Sequence, residues 1–128
     1  MRHWAVIGVV MIAILGGVLL MAKSGTSAPA GTRELHLVVR DMTFFMAGED
    51  TPNPTLRFRA GEQVRLVLRN EDTGMQHDFT VGSWRVASPP LDARQETVLE
   101  FRVPERRGTD TYSCRPHAQM MYGTIEVE

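Results

Sequence analysis

Tyr112-Ser113-Cys114-Arg115-Pro116-His117-Ala118-Gln119-Met120-Met121-Tyr122-Gly123-Thr124 is the segment of this chain with most chemistry in it. A thiol, an imidazole and two thioethers lie within eight residues there, at the end of one candidate strand and the start of another. A hairpin loop of that length can gather such side chains around one point. Soft thiolate and thioether donors select copper, and two imidazoles with a thiolate and a long axial methionine form a copper electron-transfer set. The loop supplies only one of the two imidazoles.

His77 is the best candidate for the second, because it opens a strand and a sandwich can bring such a position beside a distant loop. The chain has four histidines. His3 belongs to an apolar amino-terminal run, and His36 sits mid-strand on the polar side of its alternation, facing solvent. Cys114 is the single cysteine, so no intrachain disulfide can form. In an exported protein a lone thiol is exposed to oxidation unless it is buried or metal-bound, which favours a ligand role.

The elements that must position these residues read as short strands. Leu35, Leu37 and Val39 alternate with His36, Val38 and Arg40, the two-residue period of a strand with one buried face. Met42 to Met46 continues or bends it, and Gly48 to Pro54 is a loop rich in turn residues. Leu56 and Phe58 alternate with arginines, Ala60-Gly61-Glu62 turns the chain, and Val64, Leu66 and Leu68 alternate again, a hairpin-like pair. His77 to Val81 is a further strand. Thr97, Leu99, Phe101 and Val103 form another, and Thr109 to Cys114 and Gly123 to Val127 supply the last two. Strands at this spacing, with no helix to cover a parallel sheet, predict an antiparallel Greek-key β-sandwich or barrel of 7–8 strands.

From Trp4 to Ala22 every residue is apolar or Gly, long enough to cross a bilayer as a helix. Residues 1–23 therefore read as a membrane anchor or signal segment, 24–32 as a flexible Ser/Gly/Ala/Pro linker, and 33–128 as one domain. The apolar run exceeds the usual length of a signal-peptide core, which favours a retained anchor. The small residues Ala28-Pro29-Ala30 keep cleavage and secretion as the alternative. Either way the domain is exported, to a periplasmic or other extracytoplasmic location.

All 15 acidic residues lie after Gly31, and of the 14 basic residues only Arg2 and Lys23 precede it. The domain is close to neutral and carries no basic stripe with interleaved aromatics, which argues against a nucleic-acid partner.

Over roughly residues 33 to 128 the chain resembles the cupredoxin family of plastocyanin, amicyanin and azurin. Three stretches carry the resemblance. One runs from Leu56 and Phe58 through Ala60-Gly61-Glu62 to Val64, Leu66, Leu68 and Asn70. The second is His77-Asp78-Phe79. The third, Gly108 to Val127, holds Tyr112-x-Cys114, Cys114-x-x-His117 and Met121-x-Gly123. The resemblance implies one Cu(I)/Cu(II) ion with His77 and His117 as nitrogen ligands, Cys114 as thiolate and a methionine as weak axial ligand. It also implies a loop-pinning place for Asn70, one contact removed from the metal. Counting forward from His117 at the short amicyanin-like spacing gives Met120 as the axial residue. Counting back from Gly123 gives Met121, which is preferred because it shares the parity of Gly123, Ile125 and Val127 along the last strand.

The expected function is single-electron transfer with no catalysis, since four protein donors leave no open position for a substrate. The edge of His117, ringed by Pro116, Ala118 and a methionine, is the expected electron port. A redox partner protein such as a c-type cytochrome or an oxidase is expected, with the chain a monomer. The alternative is a copper carrier or buffer that delivers the ion to an oxidase or another cuproprotein. Several residues have a plainer reading: Met42, Met46 and Met75 as core packing, Tyr112, Tyr122 and Trp84 as packing or edge cover, Asp78 as a solvated strand residue, and Arg106-Arg107 as a solvated turn.

Overall fold

A computed structural model describes residues 31–128. The expected anchor and nearly all of the expected linker lie outside the described residues, and Thr32, the linker's last residue, already opens the first strand. Among the described residues no helix is long and apolar enough to cross a membrane.

Among the described residues nine strands form two sheets: β1 (Thr32–Arg40), β2 (Thr43–Met46), β3 (Leu56–Phe58), β4 (Gln63–Asn70), β5 (Thr80–Val81), β6 (Val86–Ala87), β7 (Glu96–Arg102), β8 (Gly108–Ser113) and β9 (Tyr122–Val127). One sheet has the order β2-β1-β4-β7 and the other β3-β9-β8-β5-β6. The alternation read from sequence matches the burial of β1 and β4 except at Val67, which is buried as well. Leu35, Leu37 and Val39 of β1 and Val64, Leu66 and Leu68 of β4 face the other sheet, where Tyr112, Ile125 and Val127 meet them.

Three details differ from the expectation. The strand count exceeds it because β5 and β6 are two-residue segments. They flank a 3₁₀ turn at Gly82–Trp84 that ends on Arg85 in the left-handed region, φ 55°, a reversal too tight for periodicity to reveal. The sheets are mixed rather than antiparallel, since β1 runs parallel to β4 and β3 parallel to β9. Last, β3 and β4 are not a hairpin, because the turn after Ala60 carries the chain from one sheet to the other. Gly61 takes φ 72° there, a conformation that favours glycine. Alternation reports which face of a strand is buried but not which strand lies beside it.

An aromatic cluster joins the two sheets beneath the site. Tyr112 stacks on Phe79 at 5.5 Å and meets Phe44 edge-on at 5.3 Å. Its hydroxyl donates to the Pro54 carbonyl at 2.7 Å, satisfying a polar atom that burial would otherwise leave unpaired.

Candidate metal centre

The candidate site lies at one pole of the sandwich, where β8 ends, β9 begins and β5 is about to start. Cys114 follows β8, and its N–H donates to the Met121 carbonyl at 3.0 Å, closing the loop as a hairpin would. Inside that closure Arg115–His117 form a 3₁₀ turn. The His117 N–H donates to Cys114 O at 3.1 Å, and the Met120 and Met121 N–H groups both donate to His117 O. The loop is therefore held by its own backbone.

His77 reaches the same point from the other side. It exchanges both backbone hydrogen bonds with Leu91, at 3.1 and 2.8 Å, and its ring is fully buried. The expected strand over His77–Val81 is thus a single bridge at His77 followed by the short β5. Cys114 Sγ stands 3.8 Å from His77 Nδ1 and 3.6 Å from His117 Nδ1. One donor atom from each of the three lies within 4.8 Å of the others. Nitrogen and sulfur bonded to one ion at about 2.0 and 2.3 Å sit roughly 3.5–3.8 Å apart when the angle is tetrahedral or trigonal. The donors are therefore spaced as ligands of a single ion.

At His77 the electrostatics favours the same role. Burial holds the His77 imidazole below its usual pKa, against the opposing effect of the hydrogen bond it donates to Asp72, so the neutral form that binds metals is favoured. Burial also raises the Cys114 thiol, so in the metal-free protein the sulfur keeps its proton at neutral pH and metal binding must displace it. The Asp78 N–H points at that sulfur, at 3.5 Å.

Of the two candidate methionines, Met121 is wholly buried among the core residues that include Cys114, whereas Met120 is 58% exposed. Asn70 is buried, donates to the carbonyls of Met75 and Leu91 at 2.9 Å and accepts from the Asp72 N–H at 3.0 Å. It ties together the loops on either side of His77. His117 is partly exposed and lines an open depression of 490 Å³ with Arg115, Pro116, Ala118, Gln119 and Met120.

Some plainer readings need correction. Asp78 is not solvated: it is 2% exposed, and its carboxylate accepts from the Arg115 N–H at 2.8 Å and from Arg115 Nε at 2.6 Å. Met75 and Tyr122 are exposed rather than packed. Met42 and Met46 do pack against the core, as does Trp84, whose indole N–H donates to Asp110. His36 is exposed and paired with Glu34.

Sequence reasoning missed Asp72. Its Oδ2 lies 2.9 Å from His77 Nε2. A carboxylate in the polar loop before His77 was visible, but no spacing rule marks a loop acid as the partner of a histidine five positions later.

No family model matches the chain, and no curated protein matches it. Solved structures do. Rusticyanin from Thiobacillus ferrooxidans is 21% identical with a TM-score of 0.60, the match covering 78% of this chain and 79% of that one. A copper binding protein solved in the apo form by NMR is 21% identical with a TM-score of 0.59, over 80% of this chain and 93% of that one. Fet3p, a multicopper oxidase that functions in iron import, matches at 16% identity and a TM-score of 0.60, over 76% of this chain but 23% of that one. At such identities the likeness speaks to the fold, and the fold is that of the cupredoxins.

Proposed function

We propose that this chain binds one copper ion through His77 Nδ1, Cys114 Sγ and His117 Nδ1, with the Met121 thioether as weak axial donor, and that it carries single electrons outside the cytoplasmic membrane. The observation that carries the reading is the convergence of the three donor atoms, with Cys114 Sγ 3.8 and 3.6 Å from the two imidazole nitrogens. Copper is the metal favoured because the set joins a thiolate and a thioether to two imidazoles. The matched structures agree, since rusticyanin is described as a copper protein and a second match as a copper binding protein.

When bound, the ion supplies one-electron chemistry between Cu(I) and Cu(II). The protein's part is to hold the donors in place. His77 is fixed by its bridge to Leu91, Cys114 and His117 by the closed loop, and the sulfur by the Asp78 N–H. Donors held so tightly can move little between oxidation states, which keeps the reorganisation cost of electron transfer low. Because His77 is buried and His117 is partly exposed, the His117 edge is the electron port, and Pro116, Ala118 and Met120 around it suit contact with a redox partner such as a c-type cytochrome or an oxidase. The N-terminal apolar run, residues 4–22, would tether the domain to the membrane.

The test is the visible spectrum of the full chain after addition of Cu(II). An intense orange-red absorption from sulfur-to-copper charge transfer is expected, and its loss in Cys114→Ser. A colourless protein that binds no copper overturns the reading. The exposed thioether of Met120 beside His117 gives a second reading some footing, a carrier that hands copper on. Rapid loss of the ion to a competing chelator would favour that carrier, and retention through many redox cycles the electron-transfer role.

A further inference from the structure

Asp72 is built into the site more firmly than a loop acid needs to be. Its side chain is 14% exposed. Oδ1 accepts from the Asp41 N–H at 2.5 Å, and Oδ2 accepts from the Met42 N–H at 2.9 Å. Asp41 and Met42 both lie in the left-handed region, at φ 50° and 53°, which aims two successive N–H groups into one concavity, an arrangement suited to an anion. The Asp72 carboxylate fills it. Asn70 Oδ1 holds the Asp72 N–H, and Asn70 Nδ2 holds the carbonyl of Leu91, the residue bridged to His77. The remaining contact of Oδ2 is His77 Nε2 at 2.9 Å. A carboxylate oxygen can only accept there, so Nε2 carries the proton and Nδ1 keeps its lone pair on the side of Cys114.

We infer that Asp72 is a positioning residue for the metal centre: through His77 it fixes the metal-binding tautomer, and its negative charge biases the bound copper toward the oxidised state. The inference rests on the copper reading for its second half only. A carboxylate hydrogen-bonded to the far nitrogen of a ligating imidazole makes that imidazole a stronger donor. Its charge, one ring away from the ion, stabilises the more positive oxidation state. The strained Asp41–Met42 turn thus bears on the site although neither residue reaches it, because it holds the acid in place.

Two measurements on the full chain test this. In the metal-free protein, nitrogen-15 NMR of the histidine rings is expected to show His77 as the Nε2–H tautomer, and an Nδ1–H tautomer would overturn the positioning role whatever metal is bound. In the copper-loaded protein, Asp72→Asn removes the charge and keeps one acceptor oxygen, which can stay on Met42 and His77 while the amide NH2 takes the place of Oδ1 beside Asp41. It is expected to raise the midpoint potential, increasing the reduced-to-oxidised ratio at a fixed poise about tenfold, roughly 59 mV for one electron. Glu71→Gln removes the same charge one residue away, from a side chain paired with Arg69, and is expected to move the potential far less. Equal shifts in the two variants, or none in Asp72→Asn, overturn the electrostatic half. If Asp72→Asn fails to fold, Asp72→Glu replaces it, retaining the charge and returning a potential near that of the natural protein. A shift in Asp72→Glu as large as tenfold overturns the inference. Should the natural chain show no charge-transfer absorption, the copper reading fails and the tautomer measurement alone judges Asp72.

Discussion

Gly123 faces the ring of Tyr112 so closely that a Cβ at position 123 would stand 2.3 Å from the tyrosine Cζ and hydroxyl oxygen. The two residues are paired across β8 and β9, and the tyrosine needs that space to reach the Pro54 carbonyl. Gly123→Ala is therefore expected to destabilise the domain by about 3 kcal/mol, as overpacking of a rigid core does. Urea unfolding measures it. Tyr112→Phe, which loses only the hydroxyl contact, is expected to cost about 1 kcal/mol in the same assay.

The two adjacent methionines separate cleanly by burial. Met121→Leu is expected to shift the potential and the charge-transfer spectrum of the copper-loaded protein, because it removes the buried thioether proposed as the weak fourth donor. Met120→Leu, on the exposed rim, is expected to leave the spectrum unchanged while altering electron exchange with a partner. Spectra of the two variants recorded side by side decide the assignment.

Arg115 latches the ligand loop to Asp78. Arg115→Ala leaves a nearly buried carboxylate with the Arg115-position backbone N–H as its remaining partner in the loop, and is expected to cost about 2 kcal/mol. The arginine is itself 56% exposed, so the pair contributes less than a fully enclosed one would. Chemical denaturation and the rate of copper loss are both expected to report the slackened loop.

Acid sensitivity is expected at Asp110. Its carboxyl lies below the ordinary 3.8, held there first by the hydrogen bond from Ser83 and then by that from Trp84, against burial. A folded value below the unfolded one means that the contribution to stability is fully present above about pH 4. It is lost as pH falls through the folded value. Asp110→Asn is expected to flatten the fall in stability below about pH 4, with Trp84 fluorescence as the probe.

What could be read in the sequence was whatever leaves a local trace. The faces of β1, β4 and β9 follow directly from alternation, and the parity that puts Met121 with Ile125 and Val127 is the parity of their burial. The parallel pairing of β1 with β4 left no such trace, because a register is a relation between distant segments. Asp78 was read as solvated for a related reason. Its burial depends on Arg115 folding back from a loop 37 positions later, and nothing in the residues around Asp78 encodes that. Asp72 escaped because its role is set by the left-handed turn at Asp41 and Met42, where Asp41 is a residue that tolerates such a turn but Met42 gives no sign of one.

β1 starts at Thr32 and ends at Arg40, beside the turn that holds Asp72. At about 3.3 Å per residue, its first residue lies some 26 Å from its last. The chain thus enters the domain at the pole opposite His117. Were the proposed tether to hold the chain at that entry, the His117 edge would be the part of the domain farthest from it, left free for a diffusing protein to meet.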